Sequence, residues 1–229
     1  MSGLLLFLTV WGCGSSDKKA ESKSTNSTAQ SDSAQTRPSA TSKKQTILFY
    51  GNSLTAGYGV EPSQAFPALV GLKIDSAGLN YQVVNAGLSG ETTAGGRSRI
   101  SWVLRQPVAV FVLELGGNDG LRGLPLAATR QNLQAIMDTV RRKSPEATIV
   151  LAGMQIPPNL GTSYTKEFRE LFKELADKNK VVLIPFLLEG VGGIPKLNQP
   201  DGIHPTPAGH KIVANTVWQV IRPVLTPKS

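Results

Sequence analysis

Cysteine is almost missing from this chain: Cys13 is the only one in 229 residues. A lone thiol makes no intrachain disulfide and no multi-cysteine metal centre, so the fold must be held by packing. No apolar run reaches the roughly 20 residues that a membrane-spanning helix needs. Histidine is scarce too, with only His204 and His210 available as imidazole bases. The glycine signatures of dinucleotide and nucleotide binding, GxGxxG and GxxxxGK[ST], are absent. So is the GxSxG elbow, which places any serine chemistry here outside the α/β-hydrolase pattern. What is present is 40% hydrophobic and 17% charged, which excludes a wholly disordered, collagen-like or multispanning protein and fits one globular domain with a tail.

The net charge of +8 resembles a nucleic-acid signal until it is divided along the chain. Residues 14–45 carry six basic and three acidic side chains, residues 1–13 none, which leaves +5 on residues 46–229. No basic helix or aromatic-interleaved stripe gathers that charge. A solvated surface is the expectation, with attraction to anionic lipid or substrate as the alternative and no nucleic-acid partner.

Residues 1–13 read as an export signal. Leu4 to Trp11 is an apolar run of signal-core length that ends in Gly12-Cys13. A small residue before a lone Cys resembles the bacterial lipobox, in which the chain is cut before the Cys and the thiol is lipidated. Val10 and Gly12 fit that pattern and the bulky Trp11 departs from it. The expected product is an exported lipoprotein anchored through Cys13, periplasmic or at the cell surface. A buried free Cys in a frayed N-terminus is the alternative. Residues 14–45 are Ser, Thr, Lys, Gln and Ala without apolar periodicity, which is the composition of a disordered linker. As a coil, such a stretch spans roughly 30 Å.

Beyond it, runs rich in β-branched and aromatic residues alternate with helical patterns. Residues 46–50, 82–85, 108–113, 148–154 and 181–186 read as buried strands. Helical faces are carried by Phe66/Leu69/Val70/Ile74, Ile100/Val103/Leu104, Leu133/Ile136/Met137/Val140 and Phe168/Leu171/Phe172/Leu175. A last helix holds Ile212, Val213, Val217, Val220 and Ile221, with Thr206 as its cap and Pro207 in its first turn. Strands apolar on both faces and separated by helices predict a three-layer α/β/α sandwich around a five-stranded parallel sheet. In such sheets, ligands bind beyond the carboxyl ends of the strands.

The loops at those ends hold the polar residues. Gly51-Asn52-Ser53 can present a hydroxyl and a backbone N–H to one space, or form a plain Gly/Ser turn or weak phosphate cradle. Gly87 in Asn85-Ala86-Gly87 permits close approach of a ligand, or simply enters a helix. Asn118, after Gly116-Gly117, can offer an amide donor or make an Asx turn. Asp201-Gly202-Ile203-His204 places a carboxylate where it can orient an imidazole. His210 reads as lying on the solvated face of the last helix. Four such loops at one sheet rim are hard to explain separately.

Together, GNSLT at 51–55, NAGLSGET around Gly87, GGND at 116–119 and DGIHP at 201–205 resemble the four blocks of the SGNH (GDSL) hydrolases. LELGGNDGLRG at 113–123 and MQIPPN at 154–159 are similar to the acyl-CoA thioesterase I, arylesterase and lysophospholipase branch. The resemblance covers about residues 46–225. It implies a flavodoxin-like fold and hydrolysis of acyl esters or thioesters with no cofactor and no metal. It further implies Ser53 as nucleophile, His204 as base and Asp201 as its orienting acid. The oxyanion donors would be the N–H groups of Ser53 and Gly87 and the Asn118 amide. Leu121, Ile156 and Pro157 are expected to flank an acyl chain. Asn52 departs from the usual GDS block, removing a charge expected to help hold the loop. A carbohydrate acetyl esterase of the same superfamily and a non-catalytic binding lipoprotein are the competing readings.

Overall fold

The computed structural model describes residues 43–225, all within the unit Thr41–Ser229. The expected signal and lipidated Cys13, and all but the end of the expected linker, lie outside the described residues. Five strands, β1 (Gln45–Gly51), β2 (Tyr81–Asn85), β3 (Val110–Glu114), β4 (Thr148–Ala152) and β5 (Val182–Ile184), pair side by side in parallel in the order β2-β1-β3-β4-β5. That is the flavodoxin-like order, with its switch point between β1 and β3. β1 begins at Gln45, so the sheet takes in the last residue assigned above to the linker.

Seven α-helices complete the described residues: α1 (Ser53–Ala56), α2 (Phe66–Ser76), α3 (Thr93–Val103), α4 (Gly117–Leu121), α5 (Leu126–Lys143), α6 (Thr162–Asn179) and α7 (Pro207–Leu225). α2 packs with α7, while α3 packs with α5 and α5 with α6. These groups cover the two faces of the sheet, and β3 is accordingly buried along its whole length. Phe49, Phe111, Leu113, Val150 and Ile184 from the strands meet Phe66, Ile136, Phe168 and Val217 from the helices in one core. A fully buried aliphatic or aromatic side chain contributes on the order of 1.5–3 kcal/mol, so this core is the main source of stability.

Three differences from the sequence reading have local causes. β2 pairs only with β1 and is a half-exposed edge rather than a buried strand, with Gln82, Val84 and Asn85 open to solvent. β5 stops at Ile184 because Pro185 has no N–H to continue a ladder. His210 is buried in α7, not solvated: its Nδ1 accepts from the Phe66 N–H at 3.2 Å and its ring stacks on Phe66. Phe66 opens α2, its cap residue Ala65 has no side-chain acceptor, and His210 supplies the acceptor from the facing helix. Burial, helped by the nearby His204, lowers the His210 pKa to about 4, so it stays a neutral acceptor. Thr206 does cap α7, accepting from Gly209 N at 3.3 Å, and Pro207 is its first residue.

Candidate active site

β1 ends at Gly51, and Asn52 caps the single turn α1 by accepting from Leu54 N at 2.9 Å. This turn aims Ser53 across the carboxyl ends of the strands. The glycine at 51 is required by space: a Cβ there would lie 2.1 Å from Thr55 Oγ1 and 2.5 Å from Glu114 Oε2. Glu114 ends β3, is fully buried, and anchors the turn. Its Oε2 accepts from Asn52 N at 3.1 Å and Thr55 Oγ1 at 2.8 Å, and its Oε1 accepts from Asn52 Nδ2 at 2.7 Å. Burial pushes its pKa up to about 7, against the pull of these donors. Asn52 therefore holds the loop by donating its amide to a carboxylate. The charge missing at Asn52 does not leave the loop unheld, contrary to the expectation from sequence alone.

His204 Nε2 lies 2.9 Å from Ser53 Oγ, and His204 Nδ1 lies 2.6 Å from Asp201 Oδ2. Asp201 Oδ1 also accepts from the backbone N–H of Ile203 at 2.9 Å and of His204 at 3.0 Å. Partial desolvation acts to raise the Asp201 pKa, but the His204 and Ile203 donors outweigh it and bring it to about 2. An ionised Asp201 makes Nδ1 the protonated ring nitrogen, which leaves Nε2 to accept from the serine hydroxyl. The other acceptor near that hydroxyl, Asn52 Oδ1, is farther away at 3.4 Å. Tyr58 lies against the His204 ring with centroids 4.6 Å apart. Gln199 Nε2 bonds Tyr58 O at 2.7 Å and Pro205 O at 3.1 Å, tying the histidine loop to the serine loop.

On the opposite side of Ser53, Gly116 takes φ of +110°, a conformation open to glycine, and turns β3 into α4. Asn118 then donates Nδ2 to Glu91 O at 3.0 Å. That bond fixes which side of the amide is nitrogen and leaves a second N–H. The next residue, Asp119, accepts from Thr93 N and Thr93 Oγ1 and so pins the start of α3 beside α4. Gly87 packs so closely that a Cβ would lie 2.2 Å from Ala56 N. Its N–H donates to Asn85 Oδ1 at 2.9 Å, and Asn85 Nδ2 donates to Thr55 O at 2.8 Å.

Ser53, His204 and Asn118 open on a cavity of about 390 Å³ that Leu121, Ile156 and Pro157 also line. Gly87 does not line this cavity. The sequence reading missed Phe186 and Leu188, which follow β5 and add to its apolar wall. It also missed Glu114, whose signal was visible as a single acid in the apolar run Val110–Glu114. Tyr58, Glu91 and Arg99 gave no local signal, since the ring, amide and carbonyl they meet are brought to them by folding. Among the described residues no group of three or more His, Cys, Asp or Glu side chains is placed to hold a metal ion.

Most of the chain is similar to known proteins. Esterase TesA of Pseudomonas aeruginosa is 41% identical over 182 residues, which cover 79% of this chain and 90% of that protein. Thioesterase 1/protease 1/lysophospholipase L1 of Escherichia coli K12 is 38% identical over 181 residues, covering 79% of this chain and 85% of that protein. A crystal structure of TesA superimposes with a TM-score of 0.76 at 41% identity and covers 79% of this chain and all of that one. Residues 49–212, which span the serine, glycine, asparagine and histidine loops, match one family throughout, and the chain belongs to the GDSL-like lipase/acylhydrolase family.

Proposed function

We propose that the protein hydrolyses carboxylic esters or thioesters of an apolar acyl group through an acyl-enzyme on Ser53. The observation that carries this reading is the continuous Ser53–His204–Asp201 hydrogen-bond chain at the mouth of an apolar cavity. Ser53 Oγ attacks the acyl carbonyl while His204 Nε2 takes its proton, and Asp201 holds the imidazolium that forms. The tetrahedral oxyanion is met by the Ser53 N–H and the free N–H of Asn118, with the Gly87 N–H joining as it is shared with Asn85. His204 returns its proton to the leaving oxygen or sulfur. Water then repeats the sequence and releases the acid.

Leu121, Ile156 and Pro157 make the acyl wall, so an apolar chain gains contact that an acetyl group or a sugar does not. This favours acyl esters, thioesters and lysophospholipids over acetylated polysaccharide. Cys13 is proposed as a lipid-anchor site for an exported protein, from the apolar run and Gly12 before it. Incorporation of labelled palmitate that is lost in Cys13→Ser checks that point. The catalytic reading is tested by mass spectrometry after exposure to an alkyl phosphonate ester. One adduct is expected on the peptide carrying Ser53 and none in Ser53→Ala; an adduct elsewhere, with Ser53 unmodified, overturns the assignment.

A further inference from the structure

Arg99, partly buried, and Glu91, buried, form a two-point ion pair that the catalytic steps above do not use. Arg99 Nε reaches Glu91 Oε1 at 2.8 Å and Arg99 Nη2 reaches Glu91 Oε2 at 2.5 Å, with the side chains 20% and 3% exposed. The guanidinium lies over the Tyr50 ring, 4.4 Å from its centroid, and Tyr50 donates its hydroxyl to Gly96 O. Such a pair is weak evidence for stability, because desolvating both charges offsets most of their attraction. Its partners point to another role.

We infer that the Glu91–Arg99 pair is a positioning device that sets both remote donors of the oxyanion site. Arg99 Nη2 also donates to Ala86 O at 3.0 Å. Ala86 C=O and Gly87 N–H belong to one rigid peptide plane, so fixing the carbonyl fixes where the N–H points. On the other partner, Glu91 O receives Asn118 Nδ2, the bond that orients the Asn118 amide. One salt bridge thus ties together the peptide that carries one donor and the acceptor that aligns the other. The planar guanidinium holds three acceptors at once, which the single ammonium of lysine cannot reproduce in that geometry. α3 carries Arg99 and is locked to the Asn118 loop through Thr93 and Asp119, so the device has a rigid base.

The inference rests on the Ser53 reading, and the test separates the two. Wild type, Ser53→Ala, Arg99→Met, Arg99→Lys and the apolar double variant Glu91→Leu/Arg99→Met are compared for Tm, kcat and KM on a p-nitrophenyl ester. Arg99→Met should lower kcat roughly tenfold to a hundredfold, as a misplaced donor does, with KM nearly unchanged. Arg99→Lys should recover only part of that loss. The double variant leaves no unpaired buried charge and should recover Tm while kcat stays low. A double variant that regains both Tm and kcat, or an Arg99→Met loss confined to KM, overturns the inference while leaving Ser53 as nucleophile. Turnover that survives in Ser53→Ala overturns the catalytic reading, and the positioning role falls with it.

Discussion

At the level of single residues, the least expected finding is how Asn52 and Glu114 share a buried site. Glu114 sits in the core with Asn52 and Thr55 donating to it, and burial still outweighs those donors in favour of its protonated form. Its folded pKa of about 7 lies above its ordinary 4.5. The sign follows: the unfolded chain loses this proton first, so stability falls as pH rises from 4.5 to 7 and then levels off. Asn52→Asp would replace the Nδ2 donor with a second carboxylate about 2.7 Å from Glu114 Oε1. Two such groups share one proton, and the upper pKa of the pair moves above that of Glu114 alone. The variant should keep losing Tm above pH 7, where the native protein is flat, and should gain no rate. Parallel Tm profiles from pH 5 to 9 would contradict this. Ser53, Asp201 and His204 were legible in sequence because each stands in a short loop with its own spacing. The roles of Glu114 and Arg99 were not, because their partners at Asn52 and Ala86 become neighbours only after folding, although a lone acid ending an apolar strand marked Glu114 as unusual.

Among the elements, the sequence showed helix faces more clearly than strand environments. The stripe Leu133, Ile136, Met137 and Val140 is fully buried on α5, as its spacing predicts. Residues 82–85 read as a buried strand on the strength of Val83 and Val84, but β2 is an edge, and nothing in so short a run says which strand will lack a second neighbour. The loop after β2 is packed against the turn that carries Ser53, which explains the glycine at 87. Gly87→Ala would drive a methyl group into the backbone of Ala56, and backbone cannot swing aside as a long side chain can. The expected result is a lower Tm together with a large loss of kcat. A variant with native Tm and rate would show that the two loops are not in register as described.

Over the whole molecule, strand order decides where chemistry can occur. The connections leaving the paired strands β1 and β3 run to opposite sides, to β2 and to β4, and the crevice at their carboxyl ends receives Ser53 from one and Asn118 from the other. The loop before α7 brings His204 across 151 positions of sequence to Ser53. Apart from Glu91–Arg99, the lysine and arginine pairs with acids among the described residues join partly exposed side chains, which contribute little. Charge is therefore used sparingly in the body, and the buried acids are concentrated around the reaction site, at Glu114, Asp119 and Glu91. The alternation of strands and helices made this architecture readable from sequence, whereas the acyl wall, drawn from loops after three different strands, was readable only in part.

The most direct test is the initial rate of the full chain on p-nitrophenyl esters from acetate to palmitate, with Ser53→Ala alongside. Turnover should peak at an acyl chain longer than acetate and fall by several orders of magnitude in Ser53→Ala. A folded protein that turns over none of the esters, or turns them over equally with and without the Ser53 hydroxyl, would contradict this.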